Sequence, residues 1–309
     1  MKGLSIVIVN YWSVDLILQC IGHFLHADYD FPYEVIISDN GSNSDDQTRV
    51  KKIYPTIIWI SNEYNVGFGK ANNRAFKIAQ YETILLLNPD SIIDSNKLID
   101  LYHRFNHDKD EPAIAGVQLI DSNGKNSNSF YSEYASFRQI LRQNLIIDKL
   151  RILPPPLETV KAVHGSCMIL SKSMLQEDIF FDEDFFLYAE EIELCHRAIK
   201  RGFCISFYSD IQVLHIGEAT QSNKLKTNTQ RNISNCLLFL KARGTLGVIL
   251  FFWLNCLNFS SNFFLLPFMD KSYKKDYWLS FKAYFGATKY YMNVLFNSYS
   301  KPLRYNTNK

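Results

Sequence analysis

The chain has 309 residues, 47% of them hydrophobic, enough for one large domain with an appendage or two modest domains. A net charge of +2 and a pI near 8.1 give no electrostatic case for nucleic acid. Six cysteines (Cys20, Cys167, Cys195, Cys204, Cys236 and Cys256) are scattered without Cys-x-x-Cys spacing, and Met1-Lys2-Gly3 runs straight into an apolar segment. Reduced thiols in a cytosolic protein without a leader are therefore expected.

In chain order, Leu4–Val9 is a near-continuous apolar run, the pattern of a strand covered on both faces. Val14, Ile17, Leu18, Ile21 and Leu25 then fall on one helical stripe. Glu34–Ser38 reads as a second strand, ending at Asp39-Asn40-Gly41-Ser42, and residues 57–61 as a third. Asn65–Ala79 opens with glycines and becomes helical before a fourth strand at Thr83–Leu87, which stops on Asn88-Pro89-Asp90. Strand and helix alternating at this spacing predict a mostly parallel sheet with right-handed crossovers, an α/β fold flanked by helices. Residues 113–120 and 163–170 read as further strands, with a hard-to-read stretch at 131–160 whose Pro154-Pro155-Pro156 is a stiff connector in a loop over a site. A charged amphipathic helix over Ala189–Arg201, closed by Gly202, precedes two short strands, Cys204–Tyr208 and Gln212–Leu214, that lead to His215.

Four clusters at strand ends carry chemistry. Asn10 and Tyr11 follow strand one and Asp39 follows strand two; a carboxylate there accepts the imide N–H of a uracil or thymine, or else simply turns the chain and caps a helix. Asn65-Val66-Gly67-Phe68-Gly69, running on to Asn73, is a glycine-bearing loop that opens a helix, suited to an anion or to close packing of helix on sheet. Asn88-Pro89-Asp90 delivers a carboxylate to the sheet edge, where open α/β sheets bind ligands and where one carboxylate plus substrate phosphates commonly hold magnesium. Glu190 and Glu191 sit in the first turn of the charged helix, either dressing its dipole or supplying a general base; Glu193 is the natural partner of Arg197 at i+4.

The ordered set Val-Asn-Tyr, Asp-Asn-Gly-Ser, Asn-Val-Gly-Phe-Gly-Lys-Ala-Asn-Asn, Leu-Asn-Pro-Asp, Phe-Leu-Tyr-Ala-Glu-Glu-Ile-Glu-Leu-Cys-His-Arg and Val-Leu-His-Ile-Gly resembles family 2 glycosyltransferases of the GT-A fold, most nearly their rhamnosyltransferase-like branch. The resemblance covers about residues 3–220. It implies a catalytic domain over 1–220, with nucleotide-sugar binding in 1–112 and acceptor binding and catalysis in 113–220, followed by a helical region over 221–309. It further implies that Asn10, Tyr11, Asp39, Asn65, Gly67, Asn73, Asn88 and Asp90 bind a dTDP- or UDP-sugar, that Asp90 and His215 hold Mg²⁺ or Mn²⁺, and that Glu191 is the base with Glu190 beside it. Glutamate at 191 replaces the family's usual aspartate, and asparagine at 88 replaces its first acidic position.

Between Arg243 and Asp270 no residue is charged, yet Asn255, Asn258 and Asn262 lie mid-run and both flanks are basic. That pattern predicts an in-plane pair of helices or a shallow hairpin at the inner face of the cell membrane ahead of a true span. A helical subdomain packed within the protein or against a second copy is the alternative. A glycan or polyprenyl-linked acceptor would account for membrane attachment, with self-association left open. Competing functions are a non-catalytic sugar-nucleotide or glycan-binding subunit, a nucleotidyltransferase, which Ser5–Trp12 does not favour because it lacks glycine and basic residues, and a glycosidase, which leaves Asn88-Pro89-Asp90 unexplained.

Overall fold

The computed structural model describes residues 1–142, 159–173, 175, 180–217, 223–296 and 302–305, so the proline connector and most of the 131–160 stretch lie outside the described residues. The chain forms two compact units: Met1–Tyr131 with Val160–Glu183 and Glu190–Thr220, and Ser132–Thr159 with Asp184–Ala189 and Gln221–Lys309.

The first unit begins β1 (Leu4–Asn10), α1 (Val14–Gly22), β2 (Tyr33–Asp39), α2 (Ser44–Ile53), β3 (Ile58–Ser61), α3 (Phe68–Ile78) and β4 (Thr83–Leu87). It continues with β5 (Ser91–Ile92), α4 (Ser95–Asn106), β6 (Ile114–Ile120) and β7 (Phe130–Tyr131). After α5 (Phe137–Arg142), which belongs to the second unit, come β8 (Ala162–Val163), β9 (Cys167–Ser171), α6 (Glu190–Lys200) and β10 (Ile205–His215). The main sheet runs in the order β3-β2-β1-β4-β9-β6-β10-β5. Among the described residues, β9 and β5 make the antiparallel pairings and the other neighbours are parallel.

Alternation along the strands explains why both faces are covered. Leu4, Ile6 and Ile8 of β1 and Leu85 and Leu87 of β4 enter one core, with Ile17 and Ile21 of α1 and Leu98, Leu101 and Phe105 of α4. Val7, Ile84 and Leu86 point the other way, to a second core with Ala75 and Phe76 of α3 and Leu194 and Ala198 of α6. Each such fully buried aliphatic side chain contributes roughly 1.5–3 kcal/mol.

Three features differ from the sequence reading. Helix α4 went unread, although Asp94 caps it through Lys97 N–H and Leu98, Leu101, Tyr102 and Phe105 line its buried face. The two short strands before His215 are one strand, β10, whose register against β6 shifts between Tyr208 and Gln212; Ser209, Asp210 and Ile211 make a bulge there instead of a break, because β6 continues alongside and Arg104 pairs with Asp210. The run at 163–170 is in turn broken. Ala162–Val163 pairs with Phe130–Tyr131 in a separate two-stranded sheet, and the chain turns through His164-Gly165-Ser166 before β9 joins the main sheet. Gly116 makes room for this departure, since a Cβ on it would lie 2.5 Å from Val163 Cβ.

In the second unit, α7 (Lys224–Leu265) carries a break at Gly244, whose φ of 66° suits glycine, and a 3-10 turn (Leu266–Phe268) follows. Helices α8 (Lys271–Gly286) and α9 (Thr288–Leu295) complete it.

Candidate active site

Parallel β1, β2 and β4 end side by side, so Asn10, Asp39 and Asn88 arrive at one edge of the sheet. Asn10 is fully buried and donates from Nδ2 to Asp39 Oδ1 at 2.7 Å, while Ser42 N–H donates to Asp39 Oδ2 at 3.2 Å. The carboxylate is thus fixed in direction with lone pairs to spare for an imide N–H. Tyr11 and Trp12 stand exposed beside it, and Trp12 N–H donates to Ser42 Oγ at 2.8 Å. Trp12 is not among the site residues expected from the sequence.

The glycine loop separates into two roles. Gly67 has φ 94° and ψ 165°, a conformation open essentially to glycine alone, and its N–H donates to Asn65 Oδ1 at 3.0 Å. Gly69 serves packing instead: a Cβ there would lie 2.9 Å from Phe181 Cβ. Asn73 faces the same segment, donating to Phe181 O at 2.8 Å and accepting from Phe181 N–H at 3.0 Å. Its amide also donates to Glu183 Oε1 at 3.2 Å, and Glu183 pairs with Lys70 at 3.2 Å. Asn73 therefore pins the 181–183 segment to α3.

Beyond β4, Asn88 N–H donates to Ser166 O at 2.9 Å and its Nδ2 to Ser166 Oγ at 3.2 Å. Ser166 Oγ also lies 3.0 Å from His215 Nε2 and 2.9 Å from His164 Nδ1. Because Ser166 N–H donates to His164 Nδ1 at 3.2 Å, that nitrogen is an acceptor and neutral His164 carries its proton on Nε2. His215 is brought here by β10, whose pairing with β5 sets it opposite Ser91, and Ile216 N–H donates to Asp90 O at 2.9 Å. Asp90 Oδ1 and His215 Nε2 end 3.5 Å apart.

His164 stacks on the Tyr131 ring with centroids 6.4 Å apart, and Tyr131 Oη donates to Glu191 Oε1 at 3.3 Å. Polar contacts thus join Asp90, His215, Ser166 and His164, a hydrogen bond joins Tyr131 to Glu191, and the two sets meet at the His164–Tyr131 ring contact. Local sequence pattern gave no warning of Ser166, His164 and Tyr131, since β4–β9 and β7–β8 pairing brings them in from remote positions. Both glutamates are buried, and a Cβ on Gly165 would meet Glu191 Cβ at 3.6 Å. Tyr188 and Ala189, just before α6, have φ of 71° and 69°, strained values for non-glycine residues and of a kind that clusters at functional sites. Burial and the neighbouring Glu191 carboxylate push Glu190 well above the usual carboxylate range, and its Oε2 has no hydrogen-bond partner. Glu193 takes both its oxygens to Arg197 Nε, at 2.7 and 2.9 Å, as its i+4 spacing suggested.

Among the described residues no group of three or more His, Cys, Asp or Glu could hold a metal. The Asp90 carboxylate fits Mg²⁺ or Mn²⁺ when substrate phosphates and water complete the shell, while the His215 imidazole is a donor that all-oxygen Mg²⁺ sites do not use and that favours the softer transition ions. A cavity of about 410 Å³ beside Met1, Tyr81, Glu82 and Lys172 lies at the opposite edge of the sheet, where β4 begins, and touches none of these residues.

A model of the family described as glycosyl transferase family 2 matches residues 5–178. The low-salt glycan biosynthesis hexosyltransferase Agl10 of Haloferax volcanii is 30% identical over 220 residues, covering 70% of this chain and 67% of that protein. The chain spans about half (48%) of the Staphylococcus aureus poly-beta-1,6-N-acetyl-D-glucosamine synthases it also matches, at 22% identity. In structure it is similar to the mannosyltransferase PcManGT of Pyrobaculum calidifontis in complex with GDP-Man and Mn²⁺ (TM-score 0.59, 13% identity, 97% of this chain and 89% of that one). It is also similar to S. aureus TarS 1-349 in complex with UDP-GlcNAc (TM-score 0.50, 17% identity, 96% and 82%). The fold is accordingly of the GT-A kind.

Proposed function

Since the chain belongs to glycosyl transferase family 2, we propose that it is an inverting glycosyltransferase. It moves a sugar, rhamnose in the reading the branch resemblance favours, from a dTDP- or UDP-sugar to a growing bacterial surface glycan or lipid-linked acceptor. It works peripherally at the cytoplasmic face of the membrane. The observation that supports the reading is the convergence at one edge of the sheet of Asp90 with His215 and, across the His164–Tyr131 ring contact, of Tyr131 with Glu191.

Asp39, oriented by Asn10 and Ser42, accepts the imide N–H of the base, and Tyr11 lends a ring face. Glu191 takes the proton of the attacking acceptor hydroxyl, oriented by Tyr131. The hydroxyl oxygen forms its bond to the anomeric carbon as the bond to the diphosphate breaks, so configuration inverts. Asp90 and His215 would hold Mg²⁺ or Mn²⁺, which when bound neutralises charge on the departing diphosphate. His215 would offer Nε2 to the ion only in the tautomer that carries its proton on Nδ1. Burial and Glu191 hold the Glu190 carboxyl well above the usual carboxylate range, which disfavours a second negative charge beside the base.

The test is a panel of nucleotide sugars with Mn²⁺ and candidate acceptors, reading nucleoside diphosphate release and the anomeric configuration of the product by NMR. Release of nucleoside diphosphate with inversion is expected for one donor. Release of a sugar 1-phosphate, the leaving group of nucleotidyl transfer from such a donor, would make it a nucleotidyltransferase, and donor binding without turnover a non-catalytic binding subunit.

A further inference from the structure

Beyond Gly244, helix α7 buries Gly247, Val248, Phe251, Asn255, Asn258 and Asn262, half of them asparagines. Asn255 donates to Phe251 O on its own helix at 2.8 Å, and Asn258 to Ile140 O of α5 at 2.5 Å. The opposite face carries Leu246, Leu250, Trp253, Leu257 and, past Ser260 and Ser261, Phe264, with Phe268 in the 3-10 turn beyond; Trp253 is 64%, Phe264 75% and Phe268 85% exposed. A helix that buries amides while large apolar groups stand exposed fits an apolar surrounding, and an exposed apolar surface of this kind marks an interaction site.

The neighbouring helix says which surrounding. On α8 and just past it, Lys271, Lys275, Trp278, Lys282, Phe285 and Lys289 recur at intervals of three and four, and all are exposed. Lysine and aromatic side chains sharing one face suit the headgroup level of a bilayer, where the rings enter the acyl boundary and the ammonium groups reach anionic lipid. From Asp270 to Phe296 the chain carries five lysines against two aspartates. Length and apolarity alone would let α7 cross a membrane. But α8 runs back along it, with Trp278 against Phe263, Phe281 against Phe259 and Tyr284 against Phe252. A spanning α7 would therefore draw Lys274, Lys275, Asp276 and Lys282 into hydrocarbon.

We infer that the exposed apolar groups of α7 and the lysine-aromatic face of α8 dock in the plane of an anionic lipid bilayer. This gives the peripheral placement proposed above a surface and a lipid charge, and it stands whether or not the chain transfers sugar.

The test is flotation of the purified full chain with phosphatidylcholine vesicles, with and without phosphatidylglycerol, in the absence of donor and acceptor. Binding to the anionic vesicles is expected, with a blue shift of tryptophan emission. Lys271→Gln, Lys275→Gln and Lys282→Gln together should weaken it on the order of a hundredfold, at the usual contribution of a lysine near an anionic surface. Trp253→Ser with Phe264→Ser and Phe268→Ser should abolish it without lowering the melting temperature, since these side chains are exposed. Absence of binding to either vesicle, or binding that both variants retain, would overturn the inference. So would a lipid-free dimer that the serine variant dissolves while vesicles go unbound, which would put a second copy on this face. Nucleotide-sugar thermal shifts, read separately, keep failure here distinct from failure of the transferase reading.

Discussion

Tyr131 Oη donates to Glu191 Oε1 across 3.3 Å, from a two-residue strand to the first turn of a helix 60 positions later. The hydroxyl holds one oxygen of the Glu191 carboxylate and so limits where that side chain can point. Glu191→Gln should lower turnover about 10²–10⁴-fold, the usual worth of general-base catalysis. Tyr131→Phe should cost about tenfold in kcat with KM for the donor unchanged, since a hydrogen bond to a charged group is worth about 1.5–3 kcal/mol and only part of that is realised at 3.3 Å. Steady-state release of nucleoside diphosphate measures both; a Tyr131→Phe enzyme with wild-type kcat would remove the orienting role.

Asp90 and His215 converge from β4 and β10. If they hold the cation, Mn²⁺ with donor at a hundredfold excess over its Kd should stabilise the protein by about 2.7 kcal/mol. Asp90→Ala should erase that metal-dependent rise in Tm, and His215→Ala should shrink it. A full Mn²⁺-dependent shift in Asp90→Ala would exclude this pair.

Glu190 supplies a pH test. Its folded-state pKa lies above the ordinary 4.5 because burial and Glu191 oppose its charge. Below 4.5 both folded and unfolded chains hold the proton, so its contribution is fully present there. As pH rises, the unfolded chain releases the proton first, and stability falls until the folded pKa is passed. Glu190→Gln removes that loss, so its Tm advantage over wild type should grow from pH 5 towards pH 8. An advantage that shrinks with rising pH would mean an ionised, partnered Glu190.

Asn73→Ala should destabilise the first unit by about 1–3 kcal/mol, because Phe181 N–H and C=O lose their partner in a buried place. Urea unfolding followed by circular dichroism reads the change. Donor affinity measured on the folded variant separates this anchoring role from direct contact with the nucleotide.

What the sequence made legible was local. β1, β2 and β4 announce themselves as apolar runs ending on Asn10, Asp39 and Asn88, and parallel pairing alone brings those ends together. The Glu193–Arg197 pair follows from i+4 spacing. His164 and Ser166 were missed because their importance comes from the interruption between β8 and β9, inside a run that alternates as one strand would. The asparagines of α7 were noticed as a cost to a membrane span. That 255, 258 and 262 are the helical spacing of one face is visible in the sequence, but which face turns inward depends on α5, a partner more than a hundred residues earlier.

The junction of β7 with β8 has a wider consequence. Tyr131 pairs with Ala162, and Lys161 N–H donates to Tyr131 O at 2.8 Å, so the chain between departs and returns through one clasp. Entropy of closing such an excursion grows only logarithmically, by about 0.6 kcal/mol per doubling of length. The length of chain between β7 and β8 can therefore change at little entropic cost while Phe130–Tyr131 and Ala162–Val163 keep their register, so the clasp uncouples the placement of Tyr131 from the size of what it encloses.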